Sequence, residues 1–372
     1  MNKRILIICN CSSGLNDFRG MLIDKLISLE FDVFAIVPPS NLKEEIVAEK
    51  QLIARECKLI KIPIDRRGIN PLTDLRLFFL YKKTIKKINP NMVITYTIKP
   101  NVYGGVACRL LKVPYAVNIT GLGTAFESNG ILKKIVTIMN CIACRDAKVV
   151  FFENEEDRQL FIREKIVEVR QTHRLNGAGV DLNKFQVYDY PKGNIIKFLF
   201  MGRVMAEKGI DELLLAMRKL VAEGIECELD VLGGYEEDYK EKIKKYENEG
   251  WLHYYGYQED VRPFIEKCHC FVLPSWHEGM ANTNLESAAS GRPVITSNIH
   301  GCLEAVINSK TGYLVQKKDS NDLYKVMKQF VGLTYEERKA MGLAGRKYME
   351  EVFDKKKVVE DTLLHIYKRI RI

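Results

Sequence analysis

The 372-residue chain has no apolar run near the roughly 18 residues that a membrane span needs. Its basic start, Met1-Asn2-Lys3-Arg4, leads into a strand-like run of only five residues, too short for the core of a secretion signal. A cytoplasmic protein is expected. The ten cysteines form no disulfide framework in a chain of this size, and Cys141 and Cys144 lack the second pair or clustered His of a zinc site. Reduced thiols fit that compartment. Histidine is scarce: there are six, and none precedes His173. His277-Glu278 opens no zinc-protease signature, because the second His would fall at Ala281. Asn10-Cys11-Ser12-Ser13-Gly14-Leu15-Asn16-Asp17, after the first strand-like run, lacks the spaced glycines of a dinucleotide fingerprint, so no hydride-transfer cofactor is implied. Gly202-Arg203-Val204-Met205-Ala206-Glu207-Lys208-Gly209 lacks both the glycine spacing and the Lys-Ser/Thr ending of a P-loop. Low-complexity tracts, short-period repeats and recognised nucleic-acid motifs are also missing.

What is present reads as an ordinary globular composition, 47% hydrophobic and 28% charged, with length enough for two cores. Short apolar runs at 5–9, 33–37, 92–95, 115–119 and 149–152 alternate with helical patterns, such as Met21, Leu22, Leu26, Ile27 and Leu29. A second series follows at 196–201, 229–232, 271–273 and 294–296. That alternation predicts parallel sheets covered by helices. Tyr188-Asp189-Tyr190-Pro191-Lys192-Gly193-Asn194 has the composition of a linker. The expected organisation is two doubly wound α/β domains, 1–188 and 189–351, sharing a cleft beyond their strand C-termini.

Charge is unevenly placed. Residues 1–185 hold 29 Lys and Arg against 19 Asp and Glu, a surplus of ten, whereas the whole chain carries +9. The surplus concentrates at Arg66-Arg67, Arg76, Lys82-Lys83, Lys86-Lys87 and Lys133-Lys134. Over 72–88 these cations share a helical pattern with Leu75, Phe78, Phe79, Leu80 and Ile85. Such a helix suits an anionic membrane surface; the plainer reading is a solvated face on a packed helix.

The stretch 277–291 carries the most chemistry. The apolar run 270–273 leads into a polar loop, and Asn282, Thr283 and Asn284 are capping types before a short helix over 285–290 that Gly291 stops. A strand, a loop and a helix start offer amide donors to an anion. Glu278 and Glu286 add carboxylates, which accept from sugar or ribose hydroxyls, so the combination fits a nucleotide sugar better than a bare nucleotide. Alternatively Glu278 is a solvated loop charge and Glu286 a favourable first-turn acid. At the end of the run 196–201, Arg203 and Lys208 offer a planar fork and a point charge for a diphosphate. Two such cations would stabilise charge developing on a leaving nucleotide. The alternative is that Lys208 pairs with Glu207 or Asp211. Thr120-Gly121-Leu122-Gly123-Thr124-Ala125-Phe126 is a small-residue loop that admits a sugar or serves as an ordinary turn.

Arg203 with Lys208-Gly209, Gly233-Gly234, Leu273-Pro274-Ser275, Glu278-Gly279 and Glu286 resemble the family 4 retaining glycosyltransferases of the GT-B fold. Asn176 to Asp181 with Phe185, Gly301 to Val306 and Thr311 to Val315 extend the likeness over nearly the whole chain. Residues 12–19 and 96–104 are similar to the bacterial capsule, O-antigen and lipopolysaccharide branch. The resemblance implies a hexosyltransferase that takes a hexose or N-acetylhexosamine from a nucleotide sugar, UDP-linked, to a polyprenyl-diphosphate-linked saccharide. It implies that Arg203 and Lys208 hold the diphosphate, that Glu286 accepts from ribose, and that Glu278 faces the sugar beside Gly279, Met280, Ala281, Asn282 and Thr283. Gly233 and Gly234 would lie near the base; Ser13, Gly14, Asn118, Thr120 and Gly121 would shape the acceptor side. The resemblance implies no metal, because Arg203, Lys208 and the helix N-terminus supply the positive charge, and no resident cofactor, because the nucleotide sugar is a substrate. Many relatives carry a His in the N-terminal loop where this chain has Asn118-Ile119-Thr120-Gly121, so Asn118 or Thr120 would have to replace it. The basic first half would attach the protein peripherally to the inner face of the cell membrane.

Two other readings compete with the transferase. One is a non-catalytic nucleotide-sugar-binding partner; the other is a nucleotide-sugar epimerase, for which no convincing acid/base set is found. The C-terminal stretch reads as two helices interrupted near Phe353-Asp354, and the resemblance implies that residues 352–372 return to the first domain.

Overall fold

The computed structural model describes residues 3–65, 68, 70–121 and 131–368. It divides into two compact units, Met1–Ala178 with Lys356–Ile372, and Gly179–Lys355. Arg66, Arg67 and the loop residues 122–126 lie outside the described residues.

The first unit is a sheet of seven parallel strands: β1 (Lys3–Ile8), β2 (Phe31–Val37), β3 (Lys58–Lys61), β4 (Met92–Tyr96), β5 (Tyr115–Ile119), β6 (Val149–Phe152) and β7 (Thr172–Arg174). Their order is β3-β2-β1-β4-β5-β6-β7. Helices α1 (Ser12–Ser28), α2 (Lys43–Ala54), α3 (Pro71–Ile88), α4 (Gly105–Leu111), α5 (Ile131–Cys144) and α6 (Glu155–Arg163) follow the strands. Because side chains alternate along a strand, Ile5 and Ile7 of β1 face one core while Leu6 and Ile8 face another. The first core takes Leu15, Leu22 and Leu26 of α1. The second takes Leu77, Tyr81 and Ile85 of α3.

The second unit holds six parallel strands, β8 (Ile196–Met201), β9 (Cys227–Leu232), β10 (Leu252–Gly256), β11 (Cys270–Leu273), β12 (Val294–Ser297) and β13 (Gly312–Val315), in the order β10-β9-β8-β11-β12-β13. Its helices are α7 (Ile210–Ala222), α8 (Lys240–Asn248), α9 (Arg262–Lys267), α10 (Asn282–Ala289), α11 (Ser320–Val331) and α12 (Tyr335–Tyr348). The last helix, α13 (Lys355–Tyr367), places Val358, Val359, Leu363 and Ile366 in the first unit's core. Asp361 of α13 accepts from His173 of β7 at 2.7 Å, and the ring of His365 stacks on His173. The sheets and their order are those of two doubly wound, Rossmann-like domains.

The compact boundary falls at Ala178, ten residues before the linker expected at 188. The segment expected as linker is held by Arg292, which is fully buried. Its guanidinium donates to the carbonyls of Tyr188 at 3.2 Å and of Asp189, Ile265 and Glu266 at 2.8 to 2.9 Å. The Pro/Gly-containing segment is thereby bound to the second unit. Tyr190 is buried beside it and donates its hydroxyl to the carbonyl of His269 at 2.7 Å.

His269 links that packing to pH. Burial, with Arg338 and Arg292 nearby, pushes its imidazole from 6.5 down to about 4. Between those values the unfolded chain binds a proton that the folded chain does not, so stability rises with pH across that window. Acidification from pH 6.5 towards 4 is expected to cost up to about 1.4 kcal/mol per pH unit from this group. Urea unfolding at stepped pH measures it, and His269→Gln should flatten that part of the profile.

Candidate functional site

In the second unit, the loops after β8, β9 and β11 interlock by backbone contact. Gly233, after β9, has φ +134°, and a Cβ there would lie 1.9 Å from the carbonyl oxygen of Gly202. The amide of Val204 donates to the carbonyl of Gly234 at 2.9 Å. Gly209, which starts α7, has φ +73°, and a Cβ on it would lie 2.0 Å from the carbonyl oxygen of Pro274. Only glycine combines that conformation with that approach. The amide of Trp276 then donates to Glu207 O at 2.8 Å, and Ser275 Oγ donates to the same oxygen at 3.1 Å.

This interlocking brings together Lys208 and Glu278, 70 positions apart. Lys208 Nζ lies 2.5 Å from Glu278 Oε1, with the side chains 20% and 12% exposed. Neither alternative partner takes Lys208: Glu207 faces His277 Nε2 at 3.2 Å, while Asp211 accepts from Tyr239 Oη at 2.5 Å and pairs with Lys242. Arg203 does not converge on the same partner. Its guanidinium is half exposed and lies 3.6 Å from Glu236 Oε2. Sequence reading missed Glu236, because nothing in the pattern links the β9 loop to Arg203. Gly234 is exposed and Gly233 half-buried, with Tyr254 Oη donating to the carbonyl of Gly233 at 2.8 Å.

The helix after β11 starts earlier than expected. α10 covers Asn282–Ala289, with Ala281 as its cap and no acid in its first turn. Asn282, Thr283 and Asn284 are thus helical, not capping. Asn284 is fully buried, and its Nδ2 donates to Thr296 Oγ1 at 3.1 Å, so its side chain is engaged below the helix. Glu286 falls in the second turn, half-buried, which removes the first-turn dipole explanation for it. Met280 and Ala281 join the unit's core, and the amide of Ala281 donates to Gly301 O at 2.7 Å. Those two therefore contribute shape, and the Ala281 amide is already engaged. Asn282 Nδ2 donates to Met280 O at 3.3 Å, while its buried Oδ1 has no partner. Thr283 and Gly279 are half-buried.

The residues expected on the acceptor side all belong to the first unit. Ser13 and Gly14 open α1, but Glu45 of α2 caps that helix: its Oε2 accepts from the Ser12 amide at 2.6 Å, and its Oε1 accepts from Ser13 Oγ at 2.6 Å. The Ser13 hydroxyl is thus engaged internally, and a carboxylate occupies the helix start. Asn118 is buried, donating Nδ2 to Thr95 O at 3.2 Å, so its side chain is turned into the sheet. Thr120 and Gly121 line a small cavity beyond β5. Of the two residues expected to replace the missing histidine, only Thr120 lines that cavity.

Three comparisons bear on this geometry. Residues 21–154 match the family described as Glycosyl transferase 4-like, and residues 185–348 match Glycosyl transferases group 1. A relative from Campylobacter jejuni, N,N'-diacetylbacillosaminyl-diphospho-undecaprenol alpha-1,3-N-acetylgalactosaminyltransferase, is 24% identical over 99% of both chains. The Escherichia coli UDP-Gal:alpha-D-GlcNAc-diphosphoundecaprenol alpha-1,3-galactosyltransferase is 27% identical over 69% of this chain and 70% of its own. Among solved structures, a glycosyltransferase from Rickettsia africae superposes with a TM-score of 0.82 at 18% identity, over 100% of this chain and 99% of its own. With two Rossmann-like parallel-sheet units and both family matches in place, the chain belongs to the GT-B glycosyltransferases and is a hexosyltransferase-type enzyme.

Proposed function

We propose that this transferase moves a hexose or N-acetylhexosamine, with retention, from a UDP-linked donor to a polyprenyl-diphosphate-linked saccharide during assembly of a bacterial surface polysaccharide. The names of the Campylobacter and Escherichia relatives, both acting on diphospho-undecaprenol saccharides, support the acceptor class. The observation that carries the donor half is the Lys208–Glu278 pair at the ends of β8 and β11. In the free protein each satisfies the other. A nucleotide sugar offers a better match to both: its diphosphate takes the ammonium, and its sugar hydroxyls donate to the carboxylate. Arg203 adds charge on the exposed side, Glu286 accepts from ribose, and Gly233 and Gly234 leave room at the base. Gly279, Met280, Ala281, Asn282 and Thr283 shape the wall beside the sugar. Ser13, Gly14, Asn118, Thr120 and Gly121 hold the acceptor side, with Ser13 and Asn118 acting through the internal bonds they make. The C1–oxygen bond to the diphosphate breaks, with its electron pair leaving to phosphate. The acceptor hydroxyl attacks C1 on the same face, and its proton passes to the departing phosphate oxygen. Charge on that phosphate is stabilised by Lys208 and Arg203, so this reading needs no metal.

The first unit's α3, α4 and α5 support peripheral membrane attachment. α4 packs against both neighbours. Leu72, Leu75 and Phe79 of α3, Leu110 of α4, and Ile135, Ile138 and Ile142 of α5 are exposed large hydrophobics. Arg76, Lys83, Lys86 and Lys87 are exposed on α3, and Lys134 on α5. Among the described residues, no helix is long and apolar enough to cross a membrane. An apolar stripe flanked by cations fits an anionic bilayer surface.

Three outcomes are expected. Incubation with UDP-, GDP- and ADP-sugars should release nucleoside diphosphate from one donor, stimulated by polyprenyl-linked acceptor, and Lys208→Ala should lower that turnover by about 10²- to 10³-fold. Donor binding without any release would favour a non-catalytic partner. Gly209→Ala should destabilise the protein by more than about 1 kcal/mol in denaturant unfolding, since it forces both the left-handed backbone and the Pro274 contact. Co-sedimentation with anionic vesicles should be strong at low salt and fall as salt rises; failure to sediment even at low salt would contradict the membrane assignment.

A further inference from the structure

Thr97, just after β4, has φ +72°, and it is the one β-branched residue with a left-handed backbone among those described. A β-branched side chain is costly there, and such conformations persist where the surroundings impose them, often at functional sites. Its carbonyl accepts from the amide of Asn101 at 2.9 Å, and Pro100–Gly104 forms a wide π-type turn behind it. Asn101 is 2% exposed, and its Nδ2 is committed to Asn118 O at 2.8 Å. Asn118 in turn donates to Thr95 O. The corner is thus tied across β4 and β5.

Two polar atoms are left over. Thr97 Oγ1 and Asn101 Oδ1 are both buried without a hydrogen-bond partner. Buried groups of this kind are rare, because each forfeits its hydration. Both residues line the cavity that Thr120 and Gly121 share with Ile119 and Phe161, about 20 Å³ in volume. The cavity lies where ligands enter parallel α/β sheets, beyond the strand C-termini.

We propose that this cavity seats one hydroxyl of a saccharide substrate. A hydroxyl donates and accepts through a single atom. It can therefore donate to the carboxamide oxygen of Asn101 and accept from the Thr97 hydroxyl together. A phosphate oxygen would face the Asn101 acceptor unfavourably, and an ammonium would find no carboxylate among the lining residues. The space matches a single hydroxyl-sized group. The proposal rests on the transferase reading, and the hydroxyl belongs either to the donor sugar or to the acceptor sugar.

Thr97→Val removes the hydroxyl while keeping the shape, and Thr97→Ser restores the hydroxyl. With the full chain, UDP-sugar and polyprenyl-diphosphate-linked saccharide, KM for each substrate and kcat would be measured for both variants. Thr97→Val should raise KM for one substrate by about tenfold, with Thr97→Ser near the parent. A rise confined to the acceptor assigns its sugar to the cavity, and a rise confined to the donor assigns the donor sugar. The matching deoxy substrate should lose the same factor with the parent protein and nothing further with Thr97→Val. If Thr97→Val does not fold, Thr97→Gly relieves the backbone and tests the same hydroxyl. Unchanged KM values in a folded variant mean that the cavity holds only a trapped water, and overturn the proposal. Absence of transfer by the parent protein contradicts the transferase reading itself and removes the basis of the proposal with it.

Discussion

Close backbone approach is the constraint on which the proposed donor site depends. Carbonyl oxygens of Gly202 and Pro274 sit where the Cβ atoms of Gly233 and Gly209 would have to be. Three loops from three parallel strands can therefore stack with no side chains between them. That stacking sets Lys208 against Glu278, the two mostly buried charges on which the proposed donor site rests. A buried pair of this kind contributes little net stability, since desolvation offsets much of the attraction. On the proposed reading its value lies in holding two opposite charges partly dehydrated, Lys208 ready to exchange its partner for a phosphate oxygen and Glu278 for a donating hydroxyl.

The first unit solves a different problem with the same architecture. Its strand ends are tied by side-chain bonds: Asn118 to Thr95 and Asn101 to Asn118 between neutral groups, and Ser13 to the carboxylate of Glu45. Two mostly buried ion pairs also lie near these ends: Lys99 with Asp74 at 2.6 Å, and Arg19 with Glu153 at 2.7 Å, where the guanidinium lies over the ring of Tyr96. Burial pushes the Glu153 carboxyl up while Arg19 opposes the shift. The unpartnered Thr97 and Asn101 atoms suit a neutral hydroxyl, whereas the exchangeable Lys208–Glu278 pair suits a charged diphosphate on the proposed reading.

Much of this was legible in the sequence. Strands β1, β2, β4, β5 and β6 and their counterparts β8, β9, β11 and β12 are apolar runs, because central parallel strands are buried on both faces. Strands β3, β7 and β10 escaped notice for the converse reason: Lys58 and Lys61 bound one, another spans three residues, and His253 and Tyr255 interrupt the third. Candidate residues fared according to the range of their interactions. Lys208 and Glu278 were recognisable by type and place, but their pairing across 70 positions was not. Asn282 to Asn284 look like caps locally, yet a long-range bond to Thr296 draws Asn284 beneath the helix. Asn118 looks available in sequence and is engaged in the fold. The Pro/Gly segment after 188 behaves likewise, since its anchoring by the buried Arg292 is a long-range contact that its local composition does not show.

On the proposed reading a nucleotide sugar takes over the partners that Lys208 and Glu278 now provide for each other. A crystal structure of the protein grown with its UDP-sugar donor tests this most directly. The account predicts a diphosphate oxygen about 3 Å from Lys208 Nζ, with Glu278 released to accept a sugar hydroxyl. A nucleotide bound elsewhere, with the Lys208–Glu278 pair intact, would contradict it.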